Sequence, residues 1–204
     1  MISIINYGMG NIGSVVNMIK KIGGKYEVVS TPEQVLKAEK LLLPGVGSFD
    51  AGVKLLRSSG LEFAIKASVS KGTPLLGICL GMQLLLDSSE EGNQKGLGLI
   101  SGTVKKFDGS KYNLKVPHMG WNIINPTKDS FLFDVVDNNH SLERFYFVHS
   151  YYVECDDFCD ISGYTTYGNK FVSAIEREKV MGVQFHPEKS HKFGMKLIKR
   201  FWEL

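Results

Sequence analysis

The chain has 204 residues, of which 43% are hydrophobic, and a formal net charge of +3 at pH 7. This length and composition can support one buried core, which excludes a disordered, collagen-like or coiled-coil protein and predicts a single domain over residues 1–204. The 24 basic and 21 acidic residues nearly balance, so we expect no nucleic-acid partner.

Cysteine usage and the absence of long apolar runs indicate the compartment. The three cysteines, Cys79, Cys155 and Cys159, do not suggest a disulfide framework and fit a reducing environment. The first residues carry no basic leader, and no apolar run approaches the roughly 20 residues that span a bilayer. We therefore expect a cytoplasmic protein that does not act at a membrane.

The first half of the chain alternates short apolar runs with helical patterns. Apolar residues at helical spacing predict an amphipathic helix over 11–22, which Gly23 and Gly24 end. Thr31 followed by Pro32 predicts the start of another short helix. Further strands are predicted at 2–6, 26–30, 41–43 and 74–78, and further helices at 51–57, 61–70 and 81–86. Apolar strands without polar alternation, separated by helices, indicate a parallel sheet covered on both faces.

The second half contains more strands and fewer helices. Strands are predicted at 99–107, 144–154, 161–166, 171–175 and 180–185, followed by an amphipathic helix over 193–202. Segment 87–98 is predicted to be a loop, and no linker divides the two halves. The sequence thus predicts an α/β fold with a central, mostly parallel sheet and an additional antiparallel strand region.

A cysteine lies at the centre of the strongest chemical motif, Gly77-Ile78-Cys79-Leu80-Gly81. The motif joins a predicted strand to a predicted helix, as in the nucleophile-elbow pattern G-x-S-x-G, with cysteine in place of serine. This turn would hold the thiol at a helix N-terminus, whose positive end lowers a thiol pKa. The N–H of Leu80 would be available to an oxyanion. The alternative is a buried structural cysteine.

A histidine and a glutamate follow another predicted strand, in His186-Pro187-Glu188. Functional side chains of a parallel sheet gather at the carboxyl ends of its strands, so His186 and Cys79 can meet. A cysteine nucleophile needs a base, and the base needs an orienting group, which predicts Cys79, His186 and Glu188 as a catalytic triad. The alternative is a surface loop.

Two glycine-rich turns are more ambiguous. Gly45-Val46-Gly47 could present N–H groups as the second half of an oxyanion hole, or could be an ordinary strand-to-helix turn. The segment 8–13 matches the dinucleotide pattern G-x-G-x-x-G, but the second strand does not end in the acidic residue that this pattern requires. We interpret it as a tight turn in which Asn11 caps the helix or faces a partner. A dinucleotide-dependent oxidoreductase is the alternative.

The remaining cysteines and histidines give weaker signals. Cys155 and Cys159 lie among acidic residues, but the spacing lacks a four-ligand set, so we predict no metal site. We interpret His118 and His149, each taken alone, as structural. His140 and His191 have no evident role.

Taken together, the motifs resemble those of class I glutamine amidotransferases. They are most similar to the glutaminase subunits of imidazole glycerol phosphate synthase, from histidine biosynthesis. The resemblance covers essentially the whole chain and is carried by segments 6–11, 44–47, 77–83, 117–122, 147–151 and 182–190. It implies a three-layer α/β/α domain.

The resemblance also implies roles for individual residues. Cys79 would be the nucleophile, His186 the base and Glu188 its orienting group, without any cofactor or metal. The implied glutamine pocket comprises Gly47, Gln83, His149, Ser150 and Tyr151. The implied oxyanion donors are the N–H of Leu80 and that of Val46, in a turn that can require reorientation. The implied partner surface comprises Asn11, Trp121, Tyr146 and Lys189.

The implied activity is the hydrolysis of L-glutamine to glutamate and ammonia through a cysteine thioester. The motifs run from Gly8 to Ser190 and leave no room for an ammonia-accepting domain, so we expect a heterodimer with a synthase subunit. By resemblance that partner is a TIM-barrel cyclase, which makes imidazole glycerol phosphate and an aminoimidazole carboxamide ribonucleotide. The alternatives are a paralogue that supplies another synthase, such as one aminating a bacterial surface sugar, and a non-catalytic binding module.

Overall fold

The computed structural model describes residues 1–112, 114–134 and 143–204. His140, to which the sequence assigns no role, lies outside these ranges. None of the helices within them is long and apolar enough to cross a membrane.

Thirteen short strands and seven helices make up the described part of the chain. The strands are β1 (Ile2–Ile5), β2 (Tyr26–Val29), β3 (Leu41–Gly45), β4 (Leu75–Cys79), β5 (Ser88–Ser89), β6 (Gly102–Lys106), β7 (His118–Ile123), β8 (Asn125–Pro126), β9 (Arg144–His149), β10 (Tyr151–Cys155), β11 (Ile161–Tyr167), β12 (Asn169–Arg177) and β13 (Val180–Val183). The helices are α1 (Ile12–Lys21), α2 (Pro32–Leu36), α3 (Phe49–Ser58), α4 (Leu61–Ser70), α5 (Leu80–Leu84), α6 (Gly109–Tyr112) and α7 (His191–Glu203), with short 3-10 turns at Phe158–Asp160 and Pro187–Lys189.

Local capping explains where the first helices begin. The Asn11 side chain accepts the N–H of Ser14 at the start of α1. At α2, the Thr31 hydroxyl accepts the N–H of Gln34, and the Gln34 side chain accepts the N–H of Thr31. This reciprocal pair satisfies two N–H groups that a helix start otherwise leaves unpaired.

A parallel sheet forms the centre of the molecule. Strands β2, β1, β3, β4 and β13 lie side by side in this order and are parallel to one another. Beyond β13 the same sheet continues through β12, β10 and β6 with antiparallel pairing, and β11 and β8 extend from β12. The predicted combination of a parallel sheet with an antiparallel region is confirmed.

The sheet separates two apolar cores, as its alternating side chains require. In β3, Leu41 and Leu43 belong to the core that contains residues of α2, α3 and α4, whereas Leu42 belongs to the core that contains residues of α1 and α7. Residues of β4 divide between the two cores in the same way. The result is the predicted α/β/α arrangement.

Two predictions about strands are wrong in detail. Segment 144–154, predicted as one strand, breaks at Ser150 into β9, which pairs only with β7 in a separate two-stranded sheet, and β10, which joins the main sheet. The Ser150 carbonyl accepts the N–H of Phe107 at this break. Strand β7 was not predicted, because its sequence HMGWNI lacks regular apolar alternation and contains Gly120 at φ +135°.

Candidate active site

The turn between β4 and α5 holds Cys79 in a strained conformation. Cys79 ends β4 with φ +54°, a value that non-glycine residues rarely adopt. A Cβ added at Gly77 would lie 2.7 Å from Gly81 C, and one added at Gly81 would lie 1.9 Å from Leu43 O. Both positions therefore require glycine, because any side chain would prevent the strand and the helix from approaching so closely.

His186 follows β13, the strand that pairs with β4. Its backbone N–H donates to the Tyr146 carbonyl at 2.8 Å, which ties the segment to β9. Its ring Nδ1 lies 2.7 Å from Glu188 Oε1, and the two side chains are 2% and 4% exposed. A carboxylate oxygen only accepts, so Nδ1 carries the proton and Nε2 is the nitrogen left for chemistry.

The electrostatics of this group favour a charged imidazole. Burial by itself would lower the pKa of His186, but its interactions with Cys79 and Glu188 outweigh burial and raise the pKa to about 10. No hydrogen bond of regular geometry joins Nε2 to any described residue, although the ring and Cys79 are close enough to interact. Such contacts are often loose before substrate binds. At neutral pH the arrangement therefore favours a charged His186 imidazolium beside Cys79.

A cavity of about 360 Å³ opens beside Cys79 and His186. Its walls include every residue that the sequence assigns to glutamine binding or to the oxyanion hole: Val46, Gly47, Leu80, Gln83, His149, Ser150 and Tyr151. Lys189 also lines it, while Glu188 lies behind His186 and outside the cavity wall. Residues from β4, α5, β9, β10 and the turn after β3 thus meet at one site.

The two glycine-rich turns lie next to each other at this edge of the sheet. Gly45 pairs with Cys79 in the sheet register, and the following Val46 is 44% exposed. A Cβ added at Gly10 would contact Pro44 at 3.3 Å. This close packing, together with the Asn11 cap on α1, gives segment 8–13 the structural role of a tight turn.

Gln184 is a site residue that the sequence argument missed. Its amide nitrogen donates to Cys79 Sγ at 3.7 Å, and its amide oxygen accepts from Gln83 Nε2 at 3.1 Å. Gln83 Nε2 also lies 3.3 Å from the Tyr151 carbonyl, which can accept from it. Gln184 is fully buried. Its position two residues before His186 was an available signal, since such positions share one face of an extended chain.

Three of the four residues assigned to a partner surface form one group. Trp121 is 44% exposed and meets Tyr146 edge-on, with ring centroids 6.2 Å apart. The Lys189 ammonium lies 5.7 Å from the Tyr146 ring centroid. Asn11 instead caps α1, where its side chain accepts the N–H of Ser14.

The remaining cysteines are distant from this chemistry. Cys155 and Cys159 are free thiols, and burial, reinforced by nearby Asp160, raises the pKa of Cys155 to about 12. Within the described ranges, no group of three or more histidine, cysteine, aspartate or glutamate side chains is arranged to hold a metal ion.

Comparison with known proteins identifies the family. Residues 3–204 match the family Glutamine amidotransferase class-I. The chain belongs to this family. It is 54% identical over 202 residues to "Imidazole glycerol phosphate synthase subunit HisH 2" of Methanococcus maripaludis, covering 98% of each chain. It is 49% identical to "Imidazole glycerol phosphate synthase subunit HisH" of Sulfurimonas denitrificans, covering 98% of this chain and 97% of the relative.

Solved structures support the fold of this class I glutamine amidotransferase. A chain in "Structure of PurLQS from Thermotoga maritima" aligns with a TM-score of 0.76 at 16% identity, covering 99% of this chain and 97% of that one. A structure described as "Crystal structure of glutamine amidotransferase" aligns with a TM-score of 0.75 at 18% identity, covering 98% and 97%.

Proposed function

We propose that this class I glutamine amidotransferase is the glutaminase subunit of an imidazole glycerol phosphate synthase. It hydrolyses L-glutamine to glutamate and ammonia, with Cys79 as nucleophile, His186 as acid and base, and Glu188 as the orienting group. The observation that carries the chemistry is the buried His186–Glu188 pair beside a cysteine held in a strained turn. The curated relatives named as HisH subunits, which match over nearly their whole length, carry the assignment to this synthase.

The first half of the reaction forms a thioester. The Cys79 thiolate attacks the carbonyl carbon of the glutamine side-chain amide, and the oxyanion that develops accepts hydrogen bonds from backbone N–H groups. Leu80 offers one such group at the first residue of α5, and Val46 in the adjacent turn is assigned as the second. The protonated Nε2 of His186 gives its proton to the leaving nitrogen, and ammonia departs.

The second half hydrolyses the thioester. His186, now neutral, takes a proton from water, and the resulting hydroxide attacks the thioester carbonyl. Collapse of the tetrahedral intermediate releases glutamate and restores the Cys79 thiolate beside the His186 imidazolium. Glu188 holds the ring throughout with Nδ1–H toward Oε1, so that Nε2 faces the reaction. One water is consumed for each ammonia released.

The ammonia acceptor is assigned to a separate cyclase subunit in a heterodimer. The exposed Trp121 and Lys189 contact the half-buried Tyr146 to form an aromatic and basic surface, and the Tyr146 carbonyl accepts the His186 backbone N–H. A partner that binds Tyr146 would therefore be connected to the base through the hydrogen bond between the Tyr146 carbonyl and the His186 backbone. Asn11 is assigned to the same surface.

The test is to assemble the full chain with the cyclase subunit of the same organism and to supply its phosphoribulosyl formimino carboxamide nucleotide. We expect glutamine-dependent formation of imidazole glycerol phosphate, matched mole for mole by glutamate. The matched control is Cys79→Ala, which should bind the cyclase normally and hydrolyse no glutamine, while added ammonium salt should still support the cyclase.

Two outcomes would contradict the proposal. Glutamine turnover that is the same with and without the cyclase and its nucleotide would exclude this pairing, and would leave a synthase that aminates another substrate, such as a surface sugar, as the alternative. Glutamine hydrolysis that survives Cys79→Ala would exclude the nucleophile. The relatives named as HisH subunits do not favour the surface-sugar alternative.

A further inference from the structure

A pair of histidines lies beside the cavity and takes no part in the mechanism above. His118 on β7 and His149 on β9 face each other in the sheet register, and they are 3% and 6% exposed. The His118 ring stacks between Phe147 and Tyr167, with centroid distances of 4.8 and 4.1 Å. Only His149 lines the cavity.

Hydrogen-bond partners fix the protons on both rings. The Tyr151 carbonyl lies 2.7 Å from His149 Nδ1, and a carbonyl can only accept, so Nδ1 carries the proton. His149 Nε2 is then an acceptor, and His118 Nδ1, 3.0 Å away, donates to it. His118 Nε2 is therefore also an acceptor.

The chain of donors begins at Asn122. The Asn122 amide oxygen accepts the N–H of Ile123 at 2.8 Å, and its amide nitrogen donates to the Thr166 carbonyl at 2.9 Å. Both contacts set the same orientation of the amide, which leaves its nitrogen 3.3 Å from His118 Nε2 as the donor. The hydrogen bonds from Asn122 through His118 and His149 to the Tyr151 carbonyl are therefore all donated in the same direction along this series.

This direction requires both rings to be neutral. Burial lowers the pKa of His118 to about 4 and that of His149 to about 3. For His149, nearby His118 and His186 lower the pKa further, and the bond to the Tyr151 carbonyl opposes them. Neither described ring has a carboxylate partner that would hold a proton at neutral pH.

The Tyr151 carbonyl connects this pair to the reacting sulfur. It accepts from His149 on one side and from Gln83 on the other, and Gln83 continues through Gln184 to Cys79 Sγ. Both nitrogens of His149 are used within the protein, so its ring has no free nitrogen for a ligand. Any contribution of His149 to glutamine binding must come from where it holds the neighbouring backbone.

We infer that Asn122 and His118 are positioning residues, which hold His149 in its Nδ1–H tautomer and thereby set the Ser150–Tyr151 backbone that receives glutamine. The inference rests on the proposed glutaminase function and adds residues to that same site. Losing this hydrogen-bonded relay from Asn122 through His118 to His149 should weaken glutamine binding while leaving the triad intact, because none of the hydrogen bonds described for these three side chains goes to Cys79 or His186.

Two substitutions separate hydrogen bonding from packing. His118→Phe keeps a ring between Phe147 and Tyr167 but removes the donor to His149. His118→Asn removes the ring but places an amide nitrogen at the same distance along the side chain as Nδ1. We expect His118→Phe to raise KM for glutamine about tenfold with kcat within about threefold of wild type, and His118→Asn to recover most of the loss.

The measurements are glutaminase kinetics of the complex with the cyclase and nitrogen-15 NMR of the histidine rings in the full chain. The wild-type spectrum should show Nδ1 protonated and Nε2 unprotonated in both His118 and His149 from pH 6 to 8. An Nε2–H tautomer of His149 would overturn the inference, as would an unchanged KM in His118→Phe or a larger defect in His118→Asn than in His118→Phe. If the wild-type complex hydrolyses no glutamine, the proposed function fails, whereas the ring spectra still decide the relay.

Discussion

Two groups of buried side chains, His186 with Glu188 and the His118–His149 pair, lie at one cavity, and the histidine pKa values of the two groups move in opposite directions. His186 is 2% exposed and has a pKa raised to about 10, whereas His149 is 6% exposed and has a pKa lowered to about 3. Burial lowers the pKa of both. The difference is that His186 has Glu188 and Cys79 as partners, while His149 has a carbonyl and a neutral imidazole.

This difference explains how one sheet edge holds two kinds of chemistry. An imidazole paired with a carboxylate can carry a proton at neutral pH and give it up as the reaction proceeds. An imidazole bonded only to neutral groups keeps one tautomer and serves as a fixed element of structure. Both roles are filled by histidine, so the residue type alone does not determine the role. The charge of the hydrogen-bond partner determines it.

Removing the carboxylate from the first group should have the largest effect. Glu188→Gln keeps the shape of the side chain, but a neutral amide no longer stabilises the His186 imidazolium, so the pKa of His186 falls. We expect kcat for glutamine hydrolysis in the complex to fall by about 10²-fold or more. We also expect the alkaline limb of the kcat/KM profile to shift toward neutral pH, because the imidazolium is lost at lower pH.

The control for that experiment is Glu39→Gln, which removes the same charge from a side chain that is 71% exposed. It should leave both kcat and the pH profile unchanged. A Glu188→Gln enzyme with a wild-type alkaline limb would mean that Glu188 does not set the charge of His186.

Gln184 connects Cys79 to the Gln83 side chain and so to the Tyr151 carbonyl, and removing this connection should reduce glutamine hydrolysis by a smaller factor. Gln184→Met keeps the side-chain length but removes the donor to Cys79 Sγ and the acceptor for Gln83 Nε2. We expect kcat/KM for glutamine to fall about tenfold, the size expected for losing a hydrogen bond to a charged group. Iodoacetamide should label Cys79 more slowly in this variant at neutral pH; unchanged labelling and kinetics would mean that Gln184 only fills space.

The glycine-bounded turn around Cys79 and the fold class were accessible from sequence because each depends on local patterns. The elbow around Cys79 needs glycine at 77 and 81 for steric reasons, and this need is visible as spacing. Strands such as β3 and β4 are continuous apolar runs because both of their faces are buried. The start of α2 was predictable because a capping residue, Thr31, followed by Pro32 is a local signal for a helix N-terminus.

The second histidine group was not accessible, because it depends on pairing between distant strands. His118 and His149 meet only through the register of β7 and β9, and β7 has no apolar pattern that predicts a strand. Taken singly, each histidine was interpreted as structural, and neither partner could be named. Gln184 was missed because its partners, Cys79 and Gln83, come from other elements.

The pH dependence of stability gives the finest test of the comparison. His118 and His149 have pKa values of about 4 and 3 in the folded protein, against 6.5 for an ordinary histidine. The unfolded chain therefore binds more protons as the pH falls below about 6.5, which favours unfolding. Between pH 7 and 5.5 the two should together cost about 2.5 kcal/mol of unfolding free energy, roughly half from each.

His186 should oppose this acid loss by about 1 kcal/mol, because its raised pKa keeps the folded ring protonated throughout this window, while the unfolded chain takes up its proton only as the pH falls through 6.5. Urea unfolding at a series of pH values should therefore show the full loss in His186→Gln, a smaller loss in the wild type and the smallest in His118→Phe. Carboxylates contribute little to the change in stability between pH 7 and 5.5, since they titrate mainly below this pH range. An equal loss in the wild type, His186→Gln and His118→Phe would mean that His118 is already charged in the folded state. The conclusion that the histidine pKa values of the two groups shift in opposite directions would then be wrong.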